Sequence, residues 1–106
     1  MAQLDVHRNP GQNREAIPFV VVVQSAVHDA HGRCVVVPLV RKTPDVPTYA
    51  RRMNPGFTVE GVPVVLHPMD IATLPMGKLG PPIASLAVHG DDIIGALDEV
   101  FTRAYG

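Results

Sequence analysis

Cysteine and tryptophan are nearly absent: Cys34 is the only thiol among 106 residues, and there is no Trp. One cysteine closes no internal disulfide and cannot build a thiolate zinc cage, which fits a reducing cytoplasm. Charged residues make up 18% of the chain, nine basic against ten acidic, for a net charge of −1. No positive field favours sequence-independent phosphate binding, so no direct specific nucleic-acid binding is expected. Long hydrophobic runs are missing too. Nothing approaches the roughly 20 apolar residues that span a bilayer, and Met1-Ala2-Gln3-Leu4-Asp5 has no basic segment leading into an apolar core. The expectation is a cytoplasmic protein with no signal peptide and no membrane partner.

What is present is a hydrophobic content of 46% in a length that suits one domain, residues 1–106, around one core. Eleven prolines and nine glycines are spread along the chain rather than gathered in a linker, which implies short elements joined by close turns. Leu4-Asp5-Val6-His7 alternates as a short strand and runs into turn residues from Arg8 to Asn13. Phe19-Val20-Val21-Val22-Val23-Gln24 is a continuous β-branched run, the pattern of a central strand buried on both faces. His28–Arg33 reads as a hairpin connection to a second apolar strand, Cys34–Leu39, in which Pro38 belongs at a bulge or a strand end.

Arg41 to Pro55 has no period of either kind and predicts a long exposed loop. Phe57-Thr58-Val59 and Val62–Leu66, separated by Glu60-Gly61, predict a hairpin with a two-residue turn. Met69–Pro75 suits either a strand or one helical turn, and Ile83–Leu86 has no assignable period. After Gly90, Asp91 can cap a helix whose apolar residues Ile93, Ile94, Leu97, Val100, Phe101 and Ala104 recur at helical spacing. Asp91 and Asp92 then sit at its positive end and Arg103 at its negative end. These segments predict a small, curved antiparallel sheet closed by one C-terminal helix.

Side chains that could carry chemistry are scattered. His28-Asp29-Ala30-His31 places two imidazoles three residues apart, a spacing that suggests a metal only on a helix; in a turn it is a solvated loop, and no metal site or cofactor is expected. His7, His67 and His89 read as surface or partly buried residues. Cys34 opens a core strand, where a thiol is an inert small hydrophobe. Ser25 and Ser85 lack nucleophile-elbow glycines, and the carboxylates show no acid/base pairing, so the chain is not expected to be an enzyme. Arg41-Lys42 and Arg51-Arg52 flank the proline-bearing loop as a solvated face or a partner surface. Tyr105, one residue from the end of the sequence, either covers the sheet or enters a partner's pocket.

In this order the segments resemble the CcdB family of gyrase-poisoning toxins over nearly the whole chain. Phe19–Ser25 followed by Gly32-Arg33-Cys34-Val35-Val36-Val37-Pro38-Leu39 is similar to the family's Val-x-Val-Gln-Ser and Gly-Arg-x-x-Val-Ile-Pro-Leu pattern. Met69–Pro75 is similar to its Asp-Met-Ala-x-Val-Pro segment, and Asp92–Leu97 with Phe101 to its terminal helix. The resemblance implies a mainly β, SH3-like barrel of the CcdB/Kid/MazF type with one C-terminal helix, assembled as a two-fold homodimer. It also implies a toxin that binds the DNA gyrase A subunit, traps the gyrase–DNA cleavage complex, and is neutralised by a cognate CcdA-like antitoxin.

Implied gyrase-binding residues are Arg103, Ala104, Tyr105 and Gly106. The best-known members end in Trp-Gly-Ile, where this chain ends in Tyr105-Gly106. Two placements are open: Tyr105-Gly106 takes the Trp-Gly role, or Phe101 aligns without a gap and Thr102-Arg103 replaces Trp-Gly. Two alternatives accompany the gyrase reading. One is an endoribonuclease toxin of the MazF/Kid type, for which Arg33, Thr48, Arg51 and Arg52 are the nominees; the other is a non-toxic interaction module on the same fold.

Overall fold

The computed structural model describes residues 2–45 and 51–102. Its strands are β1 (Asp5–Arg8), β2 (Phe19–Val22), β3 (Arg33–Arg41), β4 (Gly56–Val59), β5 (Val62–Leu66), β6 (Ala72–Pro75) and β7 (Ala84–Ser85), and helix α1 spans Gly90–Phe101. They form one antiparallel sheet in the order β4-β5-β3-β2-β1-β7, with β6 also on β3. The sheet curls into a nearly closed barrel, as the resemblance implies.

β2 is buried at all four positions. Phe19 and Val21 enter the main core with Val6, Val37, Leu39 and Leu66, whereas Val20 and Val22 join Cys34, Val36 and Leu79 in a second apolar layer. A period of two thus feeds two cores from one strand. β3 organises the sheet: β2 lies along one edge, and the other edge pairs with β6 through Arg33–Val36 and with β5 through Leu39–Arg41.

Pro38 sits inside β3 rather than at a strand end, opposite Val20. It stands where the second edge of β3 passes from β6 to β5, so its missing N–H removes no ladder bond there. Its carbonyl is still used, accepting from the His67 N–H at 3.1 Å.

Three local expectations are corrected. The β2–β3 connection is a six-residue 3₁₀ helix, Ala26–His31, rather than a simple hairpin loop. The Ser25 side chain caps its start and Gly32, at φ 75°, closes its end. Asp91 does not cap α1, because a 3₁₀ turn at Ala87–His89 runs directly into it and Gly90 already has helical angles. Asp91 and Asp92 instead occupy the first turn, where their charge still meets the positive end of the helix dipole. Nor does the whole apolar set of α1 face the sheet: Ile93 and Ala96 are buried, but Ile94 and Phe101 are exposed. Met69–Pro75 satisfies both alternatives, as a turn at Pro68–Asp70 followed by β6. Part of the loop predicted over Arg41–Pro55 lies outside the described residues.

Candidate functional site

The α1 end of the barrel is assembled from the limb 51–56 and the helix. Asn54 is buried and its Nδ2 donates to the Leu66 carbonyl at 3.1 Å, while the Leu66 N–H donates to the Pro55 carbonyl at 3.0 Å. The limb is thereby fastened to the end of β5. Arg52 then reaches α1 and pairs with Glu99 at 2.8 Å. The Arg52 side chain is mostly exposed, so this pair orients the limb and adds at most about 1 kcal/mol.

Between limb and helix lies an open groove of about 660 Å³ lined by Arg51, Arg52, Pro55, Gly56, Asp91, Asp92 and Gly95. Past Gly56 it meets a second hollow of about 510 Å³ that includes Lys42, Phe57 and His89. The His89 ring stands 5.2 Å from that of Phe57, which holds the imidazole at the groove wall. Both signs of charge therefore meet in one concave surface, with an imidazole at one end.

Along the outer side of α1, Ile94 and Phe101 are 49% and 58% exposed and stand two helical turns apart, on one stripe. Arg103, Ala104, Tyr105 and Gly106, the site residues named from sequence, lie outside the described residues, as does Thr48.

Of the nuclease nominees, Arg51 and Arg52 line the groove together and Arg33 does not. Arg33 begins β3, where its guanidinium donates to the Thr73 carbonyl and hydroxyl at 3.2 and 3.1 Å. It lies six residues, about 20 Å along the strand, from Leu39, the partner of the Leu66 to which Asn54 fastens the limb.

Cys34 is buried, and burial, followed by the Asp29 carboxylate, pushes its thiol above the ordinary value, which suits an inert core residue. Sequence reasoning missed His7 and His67, both of which are buried. His7 Nδ1 donates to the Gly80 carbonyl at 2.8 Å, tying the segment after β6 across the second apolar layer. Among the described residues the Nε2 atoms of both rings have no hydrogen-bond partner. The only available signal was the apolar company of His7 in the alternation of β1. Among the described residues no group of three or more His, Cys, Asp or Glu is placed to hold a metal, and no helix is long and apolar enough to cross a membrane.

Three solved structures share this architecture. An endoribonuclease in complex with its cognate antitoxin, from a mycobacterial species, superposes with a TM-score of 0.71 at 16% identity, covering 93% of this chain and 92% of its own. An Mtb toxin gives 0.63 at 18% identity, over 78% and 91% of the two chains. The Mycobacterium tuberculosis toxin MazF-mt6 gives 0.66 at 16% identity, over 94% and 96%. No curated protein sequence matches the chain.

These likenesses correct the expectation that the chain is not an enzyme. The barrel it shares also serves an endoribonuclease, so the lack of a contiguous catalytic pattern does not exclude catalysis. Strands far apart in sequence can bring catalytic groups together, and a search for local motifs cannot see such a set. The family model for CcdB protein matches residues 3–103, from the approach to β1 past the end of α1, and the chain belongs to the CcdB family, toxins of toxin–antitoxin pairs.

Proposed function

We propose that this toxin acts on the DNA gyrase A subunit through the outer stripe of α1 and the residues that follow it, Arg103, Ala104, Tyr105 and Gly106. In this reading it works in the cytoplasm as a two-fold homodimer and is held in check by a CcdA-like antitoxin. The observation that carries the reading is the division of α1 into two faces. Ile93 and Ala96 hold the helix to the barrel, while Ile94 and Phe101 leave apolar area uncovered on its outer face. An aromatic anchor at such a place is what a partner's pocket recognises, and two-fold symmetry would present a symmetric target with two copies of it.

The test is purified gyrase with plasmid DNA and ATP, scored for trapped double-strand cleavage with the full chain and with a chain shortened after Ala104. Cleavage by the full chain alone supports the reading. No cleavage by either, from folded protein, removes gyrase as the target.

A second reading, RNA cleavage, is favoured by the barrel shared with an endoribonuclease. Here the groove would receive the RNA, with Arg51 and Arg52 set against phosphate, and Asp91 and Asp92 in the groove and His89 in the adjoining hollow as the groups able to move a proton. Cleavage of RNA in the absence of gyrase, lost in Arg51→Ala/Arg52→Ala, separates this reading from the first.

A further inference from the structure

We infer that His28 and His31 form a two-ligand site for a divalent transition-metal ion on the 3₁₀ helix that joins β2 to β3. In a 3₁₀ helix the side chains at i and i+3 eclipse one another, because three residues complete a turn. His28 and His31 hold that relation within Ala26–His31, and their ring centroids lie 6.1 Å apart at an interplanar angle of 48°. Asp29, one third of a turn away, belongs to a different face.

The separation is close to what chelation requires. With metal–nitrogen bonds of about 2.0–2.1 Å, each ring centroid stands roughly 3.2 Å from the ion, and two cis imidazoles have centroids about 4.5–5.2 Å apart. The two exposed rings need to close by about 1 Å, which side-chain rotation supplies.

The backbone beneath them is already fixed. Ser25 caps the start of the helix, and the Gly32 N–H donates to the Asp29 carbonyl at 3.1 Å. The Gln24 side-chain amide crosses to the Arg33 carbonyl at 3.0 Å, and the Met76 N–H donates to the Gly32 carbonyl at 3.0 Å. An ion therefore orders two side chains and no loop, which keeps the entropic cost of binding low. Imidazole suits copper, nickel and zinc, and Cu²⁺ binds most tightly in the divalent series. With two protein ligands the remaining positions fall to water, so the site is open and exchangeable.

The probe is Cu²⁺ titrated into the full chain, read by calorimetry and by the nitrogen hyperfine pattern of its electron paramagnetic resonance spectrum. One ion per chain with two coordinated ring nitrogens is expected. His28→Gln and His31→Gln should each weaken binding roughly 100-fold, the advantage that a tethered second ligand gives, with an unchanged circular dichroism spectrum showing that the fold is kept. Undiminished binding in the double variant, or one ion held between two chains, overturns the inference.

Discussion

Cys34 illustrates how little a residue type says until its surroundings are known. It lies in the second apolar layer, beside Val20, Val22 and Val36, where water does not stabilise a thiolate. Desolvation comes first and the Asp29 carboxylate second in pushing its pKa upward. Ionisation thus costs more in the folded chain than in the unfolded one. The associated stability is complete below the unfolded thiol's ordinary pKa and is lost as the pH climbs through the higher folded value, so it fails on the alkaline side. At pH 8 a disulfide reagent such as Ellman's should label the native thiol far more slowly than the thiol in guanidinium, and a native rate equal to the denatured one would contradict its burial. The inert role was legible, because a cysteine opening the run Val35-Val36-Val37 belongs to a core strand. The buried state of His7 was not, since its ring is tied to the Gly80 carbonyl, more than seventy residues away.

Elements were legible where local chemistry alone decides them. Glu60-Gly61 between two alternating runs predicts a two-residue hairpin, and both residues have positive φ, 50° and 78°, which is the type I′ geometry. Among the described residues a Cβ at Gly61 would meet nothing within 4 Å, and the same is true at Gly77, which lacks the positive φ. The pair therefore isolates backbone strain from crowding. Gly61→Ala should destabilise the fold by about 1–2 kcal/mol, the cost of holding an L-residue in the left-handed region, whereas Gly77→Ala should be neutral or slightly stabilising. Urea unfolding of the two variants measures the difference, and equal midpoints would show that the turn tolerates other geometries. Elements whose form is set by what precedes them were less legible. His28–Arg33 contains turn-forming residues, yet the capping Ser25 lies upstream of it and converts the connection to a 3₁₀ helix. Asp91 resembles a cap in sequence, but the turn ending at His89 has already supplied the helical start.

At the scale of the whole molecule, the sheet order follows from β3 serving three partners, a fact that no periodicity contains because a long strand reads the same with one neighbour or two on an edge. The groove was legible only as an excess of arginine in a loop. Its second wall is α1, some forty residues later, and only folding sets Asp91 and Asp92 opposite Arg51 and Arg52. The same assembly gives α1 two faces whose roles can be separated. Ile93 is fully buried in the main core, so Ile93→Ala should cost about 2–5 kcal/mol through lost transfer energy and the cavity left behind. Phe101 is 58% exposed, and Phe101→Ala should change stability by no more than about 0.5 kcal/mol. If the outer face belongs to a target, the ranking reverses in a functional assay: Phe101→Ala should lose gyrase trapping by at least tenfold at a concentration where the chain is folded. Ile93→Ala should retain it whenever enough folded protein remains, as judged by circular dichroism in the same buffer. A Phe101→Ala toxin that traps gyrase as well as the parent would leave the outer face of α1 without a part in target recognition.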